Sequence, residues 1–573
     1  MHLVDSVVLV SYLLGITALG VWTARRVTSS SDFFMPRRFG KSMMIMHAFG
    51  TGTASDQAVS VAAATMRQGV SGIWYQWIWL ITTPFYWLIA PIFRRFRAVT
   101  TADVYRLRYD RGVAMLFAVV GMGGMAVKIG VMLKGAGALV DAGTGGLVDA
   151  NLAIACITVL FVVYGMAGGL GAAIVTDFVQ GLLTLAFSFM LLPFVLSAVG
   201  GLDGVKETIA GAGLADQMLS LVAPGKVGLF FIVMMSIQIL VGIVAFPSAM
   251  GISAAGKTEM EGRIGYTVGT YIKRICTVAW CLTALAAVAW YLSRGIQLQS
   301  VNPDNVYGDV ARAFLPGVLP GLLGLFLASL LAAVMSSCDS FMIAASGLFT
   351  QNIYQLWRPG RPSGHYVTVG RLMGIVIVVG GLAFAYWVSD VIKGVEIWFQ
   401  INPMMGIAFW LGLLWRRTTV AGAWASTLVG FGTWWLTTRA AFVDWAAALP
   451  FAEPLRLVWV EGGTAAIYKP WEILAYMVAA TTAGIVVSLL TRPVPKEKLD
   501  RYYALTRTPI QKGEVVETPC TLPPGVAPAS REMWTTALGL EIPKPSGNAV
   551  MGFLGGCLAV VVLIAGFVLL MRM

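Results

Sequence analysis

Charge is what this chain has least of. Only 12% of its 573 residues are Asp, Glu, Lys or Arg, 58% are hydrophobic, and the mean hydropathy is +0.78. A soluble globular protein carries about 25% charged residues. A water-facing fold is therefore excluded, and a polytopic membrane protein with helical spans is expected. The six cysteines are Cys156, Cys276, Cys281, Cys338, Cys520 and Cys557. Most fall inside apolar runs without metal-type spacing, so neither a disulfide framework nor a metal site is read from them. A nucleophile–base pair and a phosphate loop are lacking too, which leaves a membrane enzyme without a site. No Lys or Arg precedes the first apolar run. Leu3 to Ala24 therefore reads as a retained span rather than a secretory signal.

What is there is a long alternation of apolar runs and basic loops. The formal net charge of +12 does not point to nucleic acid, because the cations cluster between apolar runs, where they mark membrane orientation. About fourteen runs reach spanning length, the first centred near Leu13 and the last near Leu563. Cations recur after the odd-numbered runs: Arg25, Arg26, Arg37, Arg38 and Lys41 after the first, Arg94 to Arg111 after the third, and Lys257, Arg263, Lys273 and Arg274 after the seventh. They recur again at Arg358, Arg361 and Arg371, at Arg416 and Arg417, and from Arg492 to Lys512. The odd loops are expected to be cytoplasmic, with both termini outside.

Two runs are broken from within. One contains Phe49-Gly-Thr-Gly-Thr-Ala-Ser-Asp-Gln57, the other Gly242, Pro247 and Gly251. Gly and Pro disfavour helix continuity, and unwound backbone inside a membrane is tolerated only where it lines a cavity. The breaks open two five-span sets, which points to an all-α transporter with two inverted five-helix repeats and broken first helices. The expected organisation is an N-terminal helix and loop (1–41), a first repeat (42–200), an outer loop (201–226) and a second repeat (227–440). An outer loop with the thirteenth helix (441–491), a cytoplasmic Pro-rich linker (492–549) and a last helix (550–573) follow. One short helix is expected in the linker, around Lys498 to Thr506.

The run from Pro316 to Leu348 carries Ser336, Ser337, Asp339 and Ser340 within five positions. Hydroxyls and a carboxylate at membrane depth are costly unless they pair. Hard oxygen ligands with one charge suit sodium, with too few carboxylates for a calcium cage. The competing reading is serines bonding back to helix carbonyls. Lys128 lies in mid-span. It wants an acidic partner or a carboxylate ligand, or else it snorkels into a vestibule; both readings stay open. Lys134 and His47 read as interfacial or packing residues.

These pieces resemble the sodium/solute symporter family, between its proline-type and sugar-type members. Gly52-Thr-Ala-Ser-Asp-Gln57 is similar to the Ala-Ser-Asp motif of proline-type members. Gly168-Gly-Leu-Gly…Thr176-Asp-Phe-Val-Gln180, Ala332-Ala-Val-Met-Ser-Ser337 and Gly412-Leu-Leu-Trp-Arg-Arg-Thr418 match further family stretches. The resemblance covers about Ser42 to Arg439 and implies the inverted-repeat fold of leucine-type transporters. It implies a sodium site at Gly50, Thr53, Ala333, Ser336 and Ser337. It implies a second cation site at Asp177, Ser337, Asp339 and Ser340, with Asp339 replacing the more usual small polar residue. By position, the solute candidates are Asp56, Gln57, Gln76, Lys128 and Gln238. The Asn, Glu and C-terminal Gln of sugar-binding relatives appear as Gly52, Gln76 and Val395, so a hexose is not favoured. Each of Trp74, Tyr75, Trp77 and Trp79 is expected to pack or meet lipid more readily than solute.

The expected function is sodium-coupled import of a small polar organic solute. The partners are sodium, the solute and the lipid bilayer. No nucleic acid and no cofactor beyond the coupling ion are expected. The expected location is a plasma membrane, in a bacterium the cytoplasmic one. The alternative is a transporter-like sensor that signals through a separate partner.

Overall fold

Backbone groups in a bilayer must be satisfied within their own segment, and this chain complies with helix after helix. The computed structural model describes residues 3–24, 33–51, 53, 55–223, 227–461 and 463–572. Arg25, Arg26 and Gly52 lie outside the described residues. The principal helices are α1 (Leu3–Ala24), α2 (Lys41–Gly50), α3 (Ser55–Gln68), α4 (Trp74–Arg95), α5 (Thr101–Arg108), α6 (Arg111–Thr144) and α7 (Ala150–Ala198). They continue as α8 (Leu229–Gly242), α9 (Pro247–Ala254), α10 (Glu259–Ser293), α11 (Leu322–Phe349), α12 (Ser363–Trp387) and α13 (Val391–Leu414). The last are α14 (Val420–Thr437), α15 (Lys469–Leu490), α16 (Lys496–Arg507) and α17 (Gly547–Arg572). Polar caps set their starts. Asp110 accepts the Val113 N–H at 2.8 Å to open α6, and Thr258 with Glu261 forms a reciprocal capping box for α10.

Among the described residues, eight helices are long and apolar enough to cross a membrane, or nine if the bent pair α8–α9 is one span. The expected count of fourteen is thus not reached by length and apolarity. The helices near the other predicted centres are interrupted, as at α2–α3, or shorter, or diluted by Trp, Gly and Thr, as in α14. Both expected breaks are present. α2 ends at Gly50, where Thr51 turns to φ −60° and ψ 105°. α8 and α9 meet at Phe246 with a bend of 73°. α7 is also two helices in one, hinged at Gly169, where φ is +60°.

α11 is the innermost candidate span, with 89% of its apolar window buried against 11% for α17. It packs on α6 and α7, while α10 packs on α2 and α4. Close approach at the α2–α10 seam depends on glycine. A Cβ on Gly269 would lie 2.6 Å from the Ile45 carbonyl, nearer than any side chain is tolerated.

The Pro-rich segment after α15 is pinned to one face of the helix bundle. Arg97 grips Glu514 with two nitrogens, Nε at 2.7 Å and Nη2 at 2.9 Å. Arg416 holds Glu541 at 2.7 Å and also bonds Asp500. α16 covers the place where one short helix is expected. Short hairpins complete the chain: β1 (Val458–Glu461) with β2 (Thr464–Ile467), and β3 (Met533–Thr535) with β4 (Ile542–Pro543).

Candidate ion and solute site

The break after Gly50 frees carbonyls that a continuous helix would consume. The Gly50 carbonyl accepts the Thr53 N–H at 3.0 Å and, from across the interface, the Ser337 hydroxyl of α11 at 3.0 Å. Thr53 turns its own hydroxyl onto the Phe49 carbonyl. Ala333 lies one helical turn before Ser336 and Ser337 and is 4% exposed. The residues expected at a first sodium site therefore converge: a broken helix end on one side, a hydroxyl-bearing turn on the other.

Asp177 of α7 is fully buried behind this seam. Ser336 donates to one carboxylate oxygen. His47 Nδ1 stands 2.7 Å from the other, and the Thr51 hydroxyl 3.4 Å from it. The second-site grouping thus needs one correction. Ser336 meets Asp177, and Ser337 turns to Gly50 instead. Neighbouring side chains on a helix with 3.6 residues per turn point about 100° apart, so the two serines serve different elements. Asp339 is also buried, at 1% exposure, and its Oδ1 has no hydrogen-bond partner among the described residues. The Ser340 hydroxyl has none either. Room for Asp339 comes from Gly165, where a Cβ would sit 2.1 Å from the carboxylate oxygen.

Beside the ion seam lies a cavity of about 70 Å³. Gln57, Gln76 and Lys128 line it, three of the five expected solute residues. Asp56 stands behind Lys128, with Oδ2 2.5 Å from Nζ. The ammonium also lies 4.4 Å from the Trp398 ring centroid, a cation–π distance. Of the two readings for Lys128, the acidic partner holds and snorkelling does not. Gln238 is not in the cavity. Its Nε2 donates to the Phe399 carbonyl at 3.0 Å, so it fastens α8 to α13. Of the four aromatics at the start of α4, Trp79 alone reaches the cavity wall. Trp74 and Trp77 donate to the Leu221 and Arg274 carbonyls, and Tyr75 to Glu396.

A smaller cavity, about 30 Å³, lies on the other side of the break. Its walls include His47, Ser340, Phe34, Val99 and Thr100, and it shares Thr51 and Ser248 with the first.

Three residues of the site escape a reading by sequence. Lys273 and Arg274 look like loop cations of the positive-inside pattern. Both are instead deep in α10, roughly 21 Å along it at 1.5 Å per residue, and both line the larger cavity. Lys273 donates to the Thr51 carbonyl at 3.0 Å. Arg274 Nη1 donates to Gln76, to its backbone carbonyl and, at 3.1 Å, to its side-chain oxygen. A signal was available, since the apolar run can be drawn to start as early as Gly265 with the two cations inside it. His47 has a fainter signal: it sits one turn before Thr51, on the same face as the break.

Known proteins resemble this chain in sequence and in fold. The sequence model described as "Sodium:solute symporter family" matches residues 33–430. The osmoregulated proline transporter OpuE of Bacillus subtilis (strain 168) is 23% identical over 84% of this chain and 94% of its own. The sodium/myo-inositol cotransporter 2 of Oryctolagus cuniculus is 24% identical over 91% of this chain and 82% of its own. A solved structure of a Na+-coupled sialic acid symporter, in a substrate-bound outward-open state, shares the fold. It aligns with a TM-score of 0.71 at 17% identity, over 86% of this chain and 99% of that one.

Proposed function

The chain belongs to the sodium:solute symporter family, and from that premise we propose that it is a sodium-coupled secondary symporter importing a small polar organic solute by alternating access. Its named relatives are transporters, not enzymes. The observation that carries the reading is the contact of Ser337 with the Gly50 carbonyl at the helix break. A desolvated sodium ion entering there replaces that hydrogen bond with coordination by both oxygens. The Gly50 and Thr53 carbonyls, Ala333 and the Ser336 and Ser337 hydroxyls complete the shell. The Asp177 carboxyl stands one hydrogen bond away, through Ser336. A second cation lies between Asp177, Asp339 and Ser340, where the two orphaned oxygens favour it and two buried carboxylates need it.

Coupling follows from linkage. An ion that joins α2 to α11 favours the conformation in which the solute cavity is formed, and the solute favours the ion equally. Gln57, Gln76 and Lys128 line the solute side, with Asp56 holding Lys128 in place. Rocking of the broken helices against the rest then exposes the two cavities in turn. The smaller one, near the basic loops around Arg37 and Arg97, forms the inner exit, in a multi-pass protein of the cytoplasmic membrane.

The test is sodium-dependent stability of the purified protein. Saturating sodium, compared with choline, stabilises by about 2.7 kcal/mol at a hundredfold excess over Kd, and Asp177→Asn removes most of the shift. Equal melting in sodium and choline would sink the proposal. Sodium binding without flux in liposomes would favour a sensor.

A further inference from the structure

The larger cavity is walled by three buried cations, and among the described residues one carboxylate, Asp56 behind Lys128, forms an ion pair with any of them. Lys128 has Asp56. Lys273 and Arg274, 7% and 2% exposed, have no carboxylate within ion-pair distance among the described residues. Lys273 spends one hydrogen on the Thr51 carbonyl, and Arg274 Nε has no partner among the described residues. Buried charges are rarely left without a counter-charge, and Arg94 and Arg108, which lack one among the described residues, instead spend their donors on two and three backbone carbonyls. Asp177 and Asp339 do not line this cavity. From this surplus we infer that the transported solute is a small organic carboxylate, bound by Lys273 and Arg274.

The rest of the wall sets the size and the tail. Ile243, Phe246, Phe341 and Val395 are apolar, which suits a short hydrocarbon chain behind the carboxylate. A cavity of about 70 Å³ holds roughly five to seven water-sized positions, at about 10–15 Å³ each. A monocarboxylate of three or four carbons fits that space, and a hexose does not. Arg274 offers a planar fork for a carboxylate, and its Nη1 already holds the Gln76 side-chain oxygen at 3.1 Å.

The inference rests on the symporter reading and explains how solute and ion are coupled. Lys273 bonds the carbonyl of Thr51, the residue next to Gly50. Its charge opposes a sodium ion at the break. A carboxylate that pairs with Lys273 neutralises it, and sodium then binds without that repulsion.

The experiment measures thermal protection of the purified full chain by matched pairs: propionate against propionamide and butyrate against butyramide, in sodium and in choline. The expected result is protection by a carboxylate at least about tenfold lower in concentration than by its amide, and only with sodium present. The carboxylate also lowers the sodium concentration for half-maximal protection. Lys273→Met abolishes the preference for the carboxylate and by itself lowers the sodium concentration for half-maximal protection, and Lys273→Arg retains part of the preference. Equal protection by acid and amide, or no protection by either acid while sodium alone still stabilises, overturns the carboxylate assignment. If sodium alone gives no shift in the unmodified chain, the symporter reading falls instead, so the two failures are distinct.

Discussion

Replacing Ser337 by Ala tests the ion seam at the atom that closes it. The Ser337 hydroxyl donates to the Gly50 carbonyl at 3.0 Å, a contact of about 0.5–1.5 kcal/mol. With sodium bound, the same hydroxyl faces a full charge and contributes about 1.5–3 kcal/mol. Alanine removes both, so the effect on affinity is the difference, about 1–1.5 kcal/mol. At 1.4 kcal/mol per decade, the sodium concentration for half-maximal protection rises about tenfold. Ser337→Thr keeps the hydroxyl and stays near the original value. Ser329→Ala is the control on the same helix, because its hydroxyl only bonds back to the Leu325 carbonyl at 2.8 Å. The assay is a sodium titration of melting temperature at constant ionic strength. An unchanged midpoint in Ser337→Ala, or an equal rise in Ser329→Ala, refutes the reasoning.

Two further outcomes follow from ion pairs elsewhere in the chain. Asp56→Asn leaves Lys128 charged and buried without its partner, which costs about 3–5 kcal/mol of stability. Adding Lys128→Met to it recovers a large part of that loss, and a double-mutant cycle by chemical denaturation checks the coupling. In the segment that follows α15, burial favours the neutral form of Glu514. The Arg97 fork, the Gln511 N–H and the charges of Arg97 and Arg94 outweigh it and hold the carboxyl below its ordinary range. A depressed carboxylate stabilises the fold above its unfolded pKa, about 4.3, and loses that contribution as pH falls through the folded value. Protection of the amides across residues 508–520, measured against their intrinsic exchange rate at each pH, is therefore expected to fall below about pH 4, and Glu514→Gln to lower it already at pH 7. Exchange in that variant equal to the unmodified chain at pH 7 would remove the anchoring role of the pair.

The membrane class, the helical architecture and the two broken helices were legible in the sequence. Each is written in local composition: long apolar runs, and Gly or Pro where a helix must stop. The nearness of Gly50 to Ser337 was expected through family resemblance, since the partners are more than a hundred residues apart, whereas Asp177 was expected beside Ser337 and meets Ser336 instead. Only the tertiary structure decided which cations are interior. Lys273 and Arg274 have the same composition as a cytoplasmic loop and differ from one by depth alone, a property that no local window reports. The pairing of Lys128 with Asp56, the contact of His47 with Asp177 and the removal of Gln238 from the cavity were decided in the same way. A side chain's partner depends on which helix packs against it, and that is settled by the whole bundle.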